Sequence, residues 1–146
     1  MSDGESFDAE KDSTMRTPTG FLVAAMAATL LTPFGASADP TMECDGTSQV
    51  EISQCLDETL ARADAAVDEA FSFALTSAAE TDEATGRASV VPALYASQSA
   101  WETFRESQCD YVGSTYGGGS GTGVAILACR ITEARARTTE LMSGLD

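Results

Sequence analysis

The stretch LYASQSAWETFRESQC, Leu94–Cys109, sets the terms for the rest of the chain. Wound as a helix at about 100° per residue, it puts Leu94, Gln98, Trp101, Arg105, Gln108 and Cys109 on one face. That face holds the single Trp of the sequence. It also holds an amide and a guanidinium where an ordinary core helix has Leu or Val. Such groups cannot be buried alone, so other elements must bring acceptors to them. Cys109 must find another cysteine.

The chain has 146 residues, which is the size of one domain. Its formal net charge is −15 and its pI about 4.1. There is no His, which excludes imidazole catalysis and His metal ligation. So acidic a surface repels nucleic acid and anionic lipid and favours basic partners. A saline habitat would explain the acidity equally well.

An apolar run of eleven residues, FLVAAMAATLL at 21–31, is too short to span a bilayer and fits the core of a signal peptide. Ala36-Ser37-Ala38 supplies small residues for cleavage, giving a leader of 1–38 and a mature domain of 39–146. Residues 1–14 are acidic where a leader should be basic, and Met15-Arg16 offers a better start. No Cys follows the cleavage site, so the expectation is a protein released into the periplasm or secreted, without stable membrane insertion. An uncleaved anchor is the alternative, weakened by the shortness of the run and by Pro33 and Gly35. Five of the 23 acids and two of the 8 bases precede Asp39, so the mature domain carries −12. All its bases are Arg, which is easier than Lys to satisfy where partly buried.

Past the turn-rich segment 39–47, a helical stripe runs from about Ser48 to Ala79 through Ile52, Leu56, Ala63, Val67, Ala70, Phe71 and Ala74. Ser48 with Glu51 three residues on forms a capping box. The acids and Gly86 of residues 80–91 are expected to end this helix. Pro92 then reads as the first residue of a second helix reaching about Asp110. Residues 111–123, YVGSTYGGGSGTG, read as a loop. A third helix follows from about Val124 to Leu145, with Val124, Leu127, Ile131, Ala134, Thr138, Leu141 and Leu145 on one side. No stretch alternates with period two, so no sheet is expected. Three helices with short connections predict an all-α fold, a small antiparallel three-helix bundle.

Four cysteines in a small exported chain read as two disulfides. They allow three pairings. Local pairing, Cys44 with Cys55 and Cys109 with Cys129, is the simplest geometry. A metal site is disfavoured by the lack of His and of CxxC.

The order Cys44, Gln49-Val50-Glu51, Cys55, Ala63-Asp64, Val67-Asp68-x-x-Phe71, Gln98-x-x-Trp101-x-x-x-Arg105-x-x-x-Cys109, a GGGS loop, Cys129, and Thr132-x-x-Arg135 with Leu141 resembles the bacterial exported family named for the lysozyme inhibitor LprI. The resemblance spans about 44–142. Val67-Asp68 and Phe71 stand where that family often has Leu-Asn and Tyr. The resemblance implies a helical, disulfide-bonded envelope protein, one branch of whose family inhibits lysozyme.

In the structural reading of these motifs, Trp101 fills the core and Arg105 bridges helices through Asp64 or loop carbonyls. Arg135 is read the same way, and Gln98 as a donor to backbone or to a first-helix side chain. The row Asp57, Asp64, Asp68 could meet a basic partner, or be a solvated face or counter-charge for the arginines. Tyr111 and Tyr116 could be aromatic tips of a mobile loop that enters a partner's cleft; the loop could equally be a linker. Catalysis finds no support. There is no triad base, no GxxxxGK[ST], no GxGxxG and no DxDxDG spacing. The sequence therefore points to a non-enzymic exported protein without cofactor or metal. It would bind a basic partner such as a c-type lysozyme, or serve as a non-inhibitory envelope interaction or scaffold protein.

Overall fold

The computed structural model describes residues 39–144; the expected leader, Leu145 and Asp146 lie outside them. A single 3₁₀ turn, Pro40–Glu43, precedes three helices: α1, Gln49–Thr85; α2, Val90–Ser114; and α3, Thr122–Ser143. No strand occurs among the described residues. The fold is an all-α three-helix bundle in up-down-up order. Thr59 and Arg62 of α1 lie beside Arg135 of α3, and Ala74 and Ala78 lie beside Leu141, so α1 and α3 run the same way. α2 returns against both.

α1 begins where the capping box sets it. Ser48 Oγ accepts from the Glu51 N–H, and the Glu51 carboxylate accepts from the Ser48 and Thr47 N–H groups. These donors hold the Glu51 carboxyl below its ordinary range, the Thr47 hydroxyl contributing most. The helix runs six residues beyond Ala79, because acids do not themselves break a helix. Thr76, Thr81 and Thr85 bond back to carbonyls four residues earlier, which satisfies their hydroxyls inside the helix. Only Gly86, at φ +67°, ends it.

The α1–α2 turn is closed by one side chain. The Asp82 carboxylate accepts from the N–H groups of Ser89, Val90 and Val91, capping α2 from the neighbouring helix. Its pKa is lowered, chiefly by the Val90 N–H. α2 therefore starts two residues before Pro92, whose missing donor still falls in the first turn.

α2 also continues through residues expected to be loop. Gly113 is buried inside it, and a Cβ there would sit 2.5 Å from Ile126 Cγ1 of α3. The glycine lets the two backbones close together. The loop that remains is a chain of turns, with Gly117 and Gly118 left-handed at φ +63° and +78°.

The core is small and rich in Ala. Leu56, Ala63, Val67 and Ala70 of α1 meet Ile131, Ala134 and Leu141 of α3, with Cys44 at one end. Short side chains on both helices make α1 and α3 the most closely packed pair. α2 buries only Cys109 and Gly113. So thin a core gains from covalent ties. Cys44–Cys55 fastens the N-terminal turn to α1, and Cys109–Cys129 fastens the end of α2 to α3. Loops of 11 and 20 residues correspond to about 3 kcal/mol each in the chain-entropy account.

Candidate functional site

The polar face of α2 meets both other helices in one seam. Arg105 Nη1 donates to Asp64 Oδ1 of α1 at 2.5 Å. Its guanidinium carbon lies 4.6 Å from the Trp101 ring centre, and that of Arg137 lies 5.8 Å away. Trp101 is thus only partly buried, set against two cations and the edge of the core rather than filling the centre. Aromatic faces attract cations, which lets a Trp close the side of a bundle whose core is too narrow for it.

Arg137 is the buried guanidinium of α3. It donates through Nε to Gln98 Oε1 at 3.1 Å, through Nη2 to Ser97 Oγ at 3.1 Å, and through Nη1 to Glu140 at 3.3 Å. Its side chain is 9% exposed, while Glu140 is 64% exposed. Gln98 accordingly reaches no group on α1. It accepts from α3 and donates to Glu102 of its own helix. Arg135 does not share this role. Its exposed guanidinium makes a two-pronged pair with Glu43, at 2.6 and 2.8 Å, tying the N-terminal turn to α3. The hydrogen bond from Arg135 holds the Glu43 carboxyl below its ordinary range, and reciprocally raises the guanidinium. Arg137 was findable: it sits between Ala134 and Leu141 on the α3 stripe, at the three- and four-residue steps of a helix face.

The acidic row divides. Asp64 is held by Arg105. Asp57 and Asp68 are exposed and enter no ion pair among the described residues. Around Asp64, a groove where α1 and α2 meet Arg130 of α3 is lined by Asp64, Asp68, Glu102 and Glu106 against Arg105 and Arg130. Its charge is net negative. Asp110 faces Arg130 loosely at 3.9 Å.

The two tyrosines do not share a mobile tip. Tyr111 lies on the last turn of α2 and is 65% exposed. Tyr116 belongs to the turn-folded loop, and its ring covers Gly121, where a Cβ would come within 3.3 Å. It lines a cavity of about 490 Å³ with Pro40, Val124 and Ala128. A larger omission from the sequence-based candidates is Phe104, 52% exposed on α2. Its signal was an aromatic residue one helical step off the polar face.

Nothing in this arrangement assembles a nucleophile with a base. The four cysteines are paired as disulfides, and the arginines of the seam are bonded to acceptors within the bundle. Among the described residues, no helix is long and apolar enough to cross a membrane. What the surface offers is charge, exposed rings and a rigid frame, the elements of protein–protein recognition.

The family model for the lysozyme inhibitor LprI matches residues 43–141. An uncharacterized protein of Rhizobium meliloti (strain 1021) is 30% identical over 113 residues, covering 73% of this chain and 81% of that protein. No solved structure matches the chain.

Proposed function

The chain belongs to the lysozyme inhibitor LprI family, and we propose that it is an exported envelope protein that binds a muramidase and blocks its cleft, without catalysis of its own. The family match carries this reading, because it covers the bundle from the N-terminal turn to the end of α3. The proposal includes a leader at 1–38, an inhibitor domain at 39–146, and release into the periplasm or beyond. Charge supports it. A mature domain at −12 meets a typically basic target with long-range attraction, which raises the association rate. Among the described residues Asp57 and Asp68 enter no ion pair and can add to that attraction, whereas Asp64 serves the bundle.

The test is a titration of the oxidised protein against a c-type lysozyme, reading cell-wall lysis and binding together at low and near-physiological salt. Saturable inhibition at physiological salt is the expected result. Binding that disappears with salt and is never accompanied by inhibition would refute it, and the non-inhibitory scaffold reading would then lead.

A further inference from the structure

With two buried residues among its 25, α2 stands proud of the α1/α3 pair. Its outward side is uncharged, in a chain of −15. Ala93, Ala96, Ala100, Phe104, Ser107 and Tyr111 are all exposed and fall within about 80° of one another around the axis. The Ser107 hydroxyl is already bonded to the Thr103 carbonyl. Phe104 and Tyr111 stand about 10 Å apart along the helix. Exposed aromatic rings are the side chains that most often dominate an interface. These two sit on a helix pinned to α3 by Cys109–Cys129, so little freedom is lost on contact. Ser99, Thr103 and Asp110, all exposed, flank the strip on one side, and Glu106 and Glu102 lie progressively farther round the helix, toward the groove they share with Arg105 and Arg130.

We infer that this outward face of α2, anchored by Phe104 and Tyr111, is the surface that seats in the cleft of a basic partner protein. The inference rests on the muramidase reading and moves the principal contact from the Asp57/Asp68 row to α2. The net charge of the domain, −12, selects the occupant. A second copy carries the same negative charge and is repelled. Anionic lipid is repelled. A basic protein is attracted by that charge while an apolar recess at its centre dehydrates both rings. The face is a convex ridge, so its recipient is concave.

The oxidised protein and its variants would be titrated into a c-type lysozyme at near-physiological salt, with Kd and the unfolding midpoint read together. Phe104→Ala/Tyr111→Ala should weaken binding on the order of 100-fold or more without moving the midpoint. Ala100→Arg sets a cation in the middle of the strip and should lose a comparable amount. Asp57→Asn/Asp68→Asn should change Kd by less than about threefold. Parent-like affinity in both the double aromatic variant and Ala100→Arg would overturn the assignment while leaving the muramidase reading intact. A parent that binds no muramidase would overturn both. A concentration-dependent dimer that the double variant dissolves would overturn it in favour of a second copy.

Discussion

Replacing Arg137 with Ala should destabilise the bundle by about 3 kcal/mol. Two charge-assisted hydrogen bonds are lost, to Gln98 and Ser97, and bonds of this kind contribute roughly 1.5 kcal/mol each at the lower end of their range. The pair with Glu140 adds little, because that carboxylate is 64% exposed and screened by water. Some loss of packing follows, since the side chain is 9% exposed, its guanidinium carbon lies 5.8 Å from the Trp101 ring centre, and it lines a cavity with Leu141. Gln98 and Ser97 can recover water, which keeps the total below the 3–5 kcal/mol range's upper end for a fully buried broken pair. Urea unfolding followed by circular dichroism measures the difference, with Arg135→Ala as the comparison. Arg135 lies only two positions away, yet its pair with Glu43 is exposed, and its loss should leave the midpoint nearly unmoved. A change below about 0.5 kcal/mol for Arg137→Ala, or equal losses for the two variants, would refute the assignment of Arg137 as the buried bridge.

Three further outcomes are expected. Gly113→Ala should cost about 1–2 kcal/mol despite the better helix propensity of Ala, and Ile126→Ala should suppress most of that cost in a double-mutant cycle, since the added Cβ meets Ile126. Reducing both disulfides should lower the thermal midpoint by well over 10 °C, because constraints worth about 3 kcal/mol each are removed from the unfolded chain; an unchanged midpoint would show that the helices need no staples. The Asp82 carboxyl is depressed by its hydrogen bonds to α2, so its contribution is complete above the ordinary aspartate pKa, near 4, and is lost as pH falls through the lower folded value. Asp82→Asn should therefore weaken the protein at neutral pH and remove this part of the acid-side loss, and parallel pH–stability curves for the two proteins would contradict the capping role.

The three helices were legible because local signals and core periodicity agreed. Ser48 and Glu51 marked a start that the hydrogen bonds reproduce, and the Leu56–Ala70 and Ile131–Leu141 stripes are the buried ones. Helix ends were less legible. Acidic residues 80–85 looked like a break, but side-chain polarity does not stop a helix whose backbone bonds remain intact. Tyr111–Ser114 looked like loop because Gly113 reads as a breaker, whereas its use here is to admit Ile126, a contact made by a residue distant in sequence. The arginines show a third limit. Period alone cannot rank Arg135 and Arg137, because a long side chain reaches well beyond the angle at which its Cβ leaves the helix. Trp101 does pack against the core, as its hydrophobicity argued, but only in part, its ring being shared with the guanidinium groups of Arg105 and Arg137.

The cysteines are joined in pairs that are consecutive along the chain, 44 with 55 and 109 with 129, so neither loop encloses or crosses the other. For a chain crossing a membrane from its N-terminus, the partner of each cysteine is simply the next thiol to arrive. A donor oxidase that joins thiols in order of arrival would generate the native linkages directly, with no crossed intermediate to be shuffled afterwards. On the proposed export, maturation should accordingly need an oxidant but no isomerase.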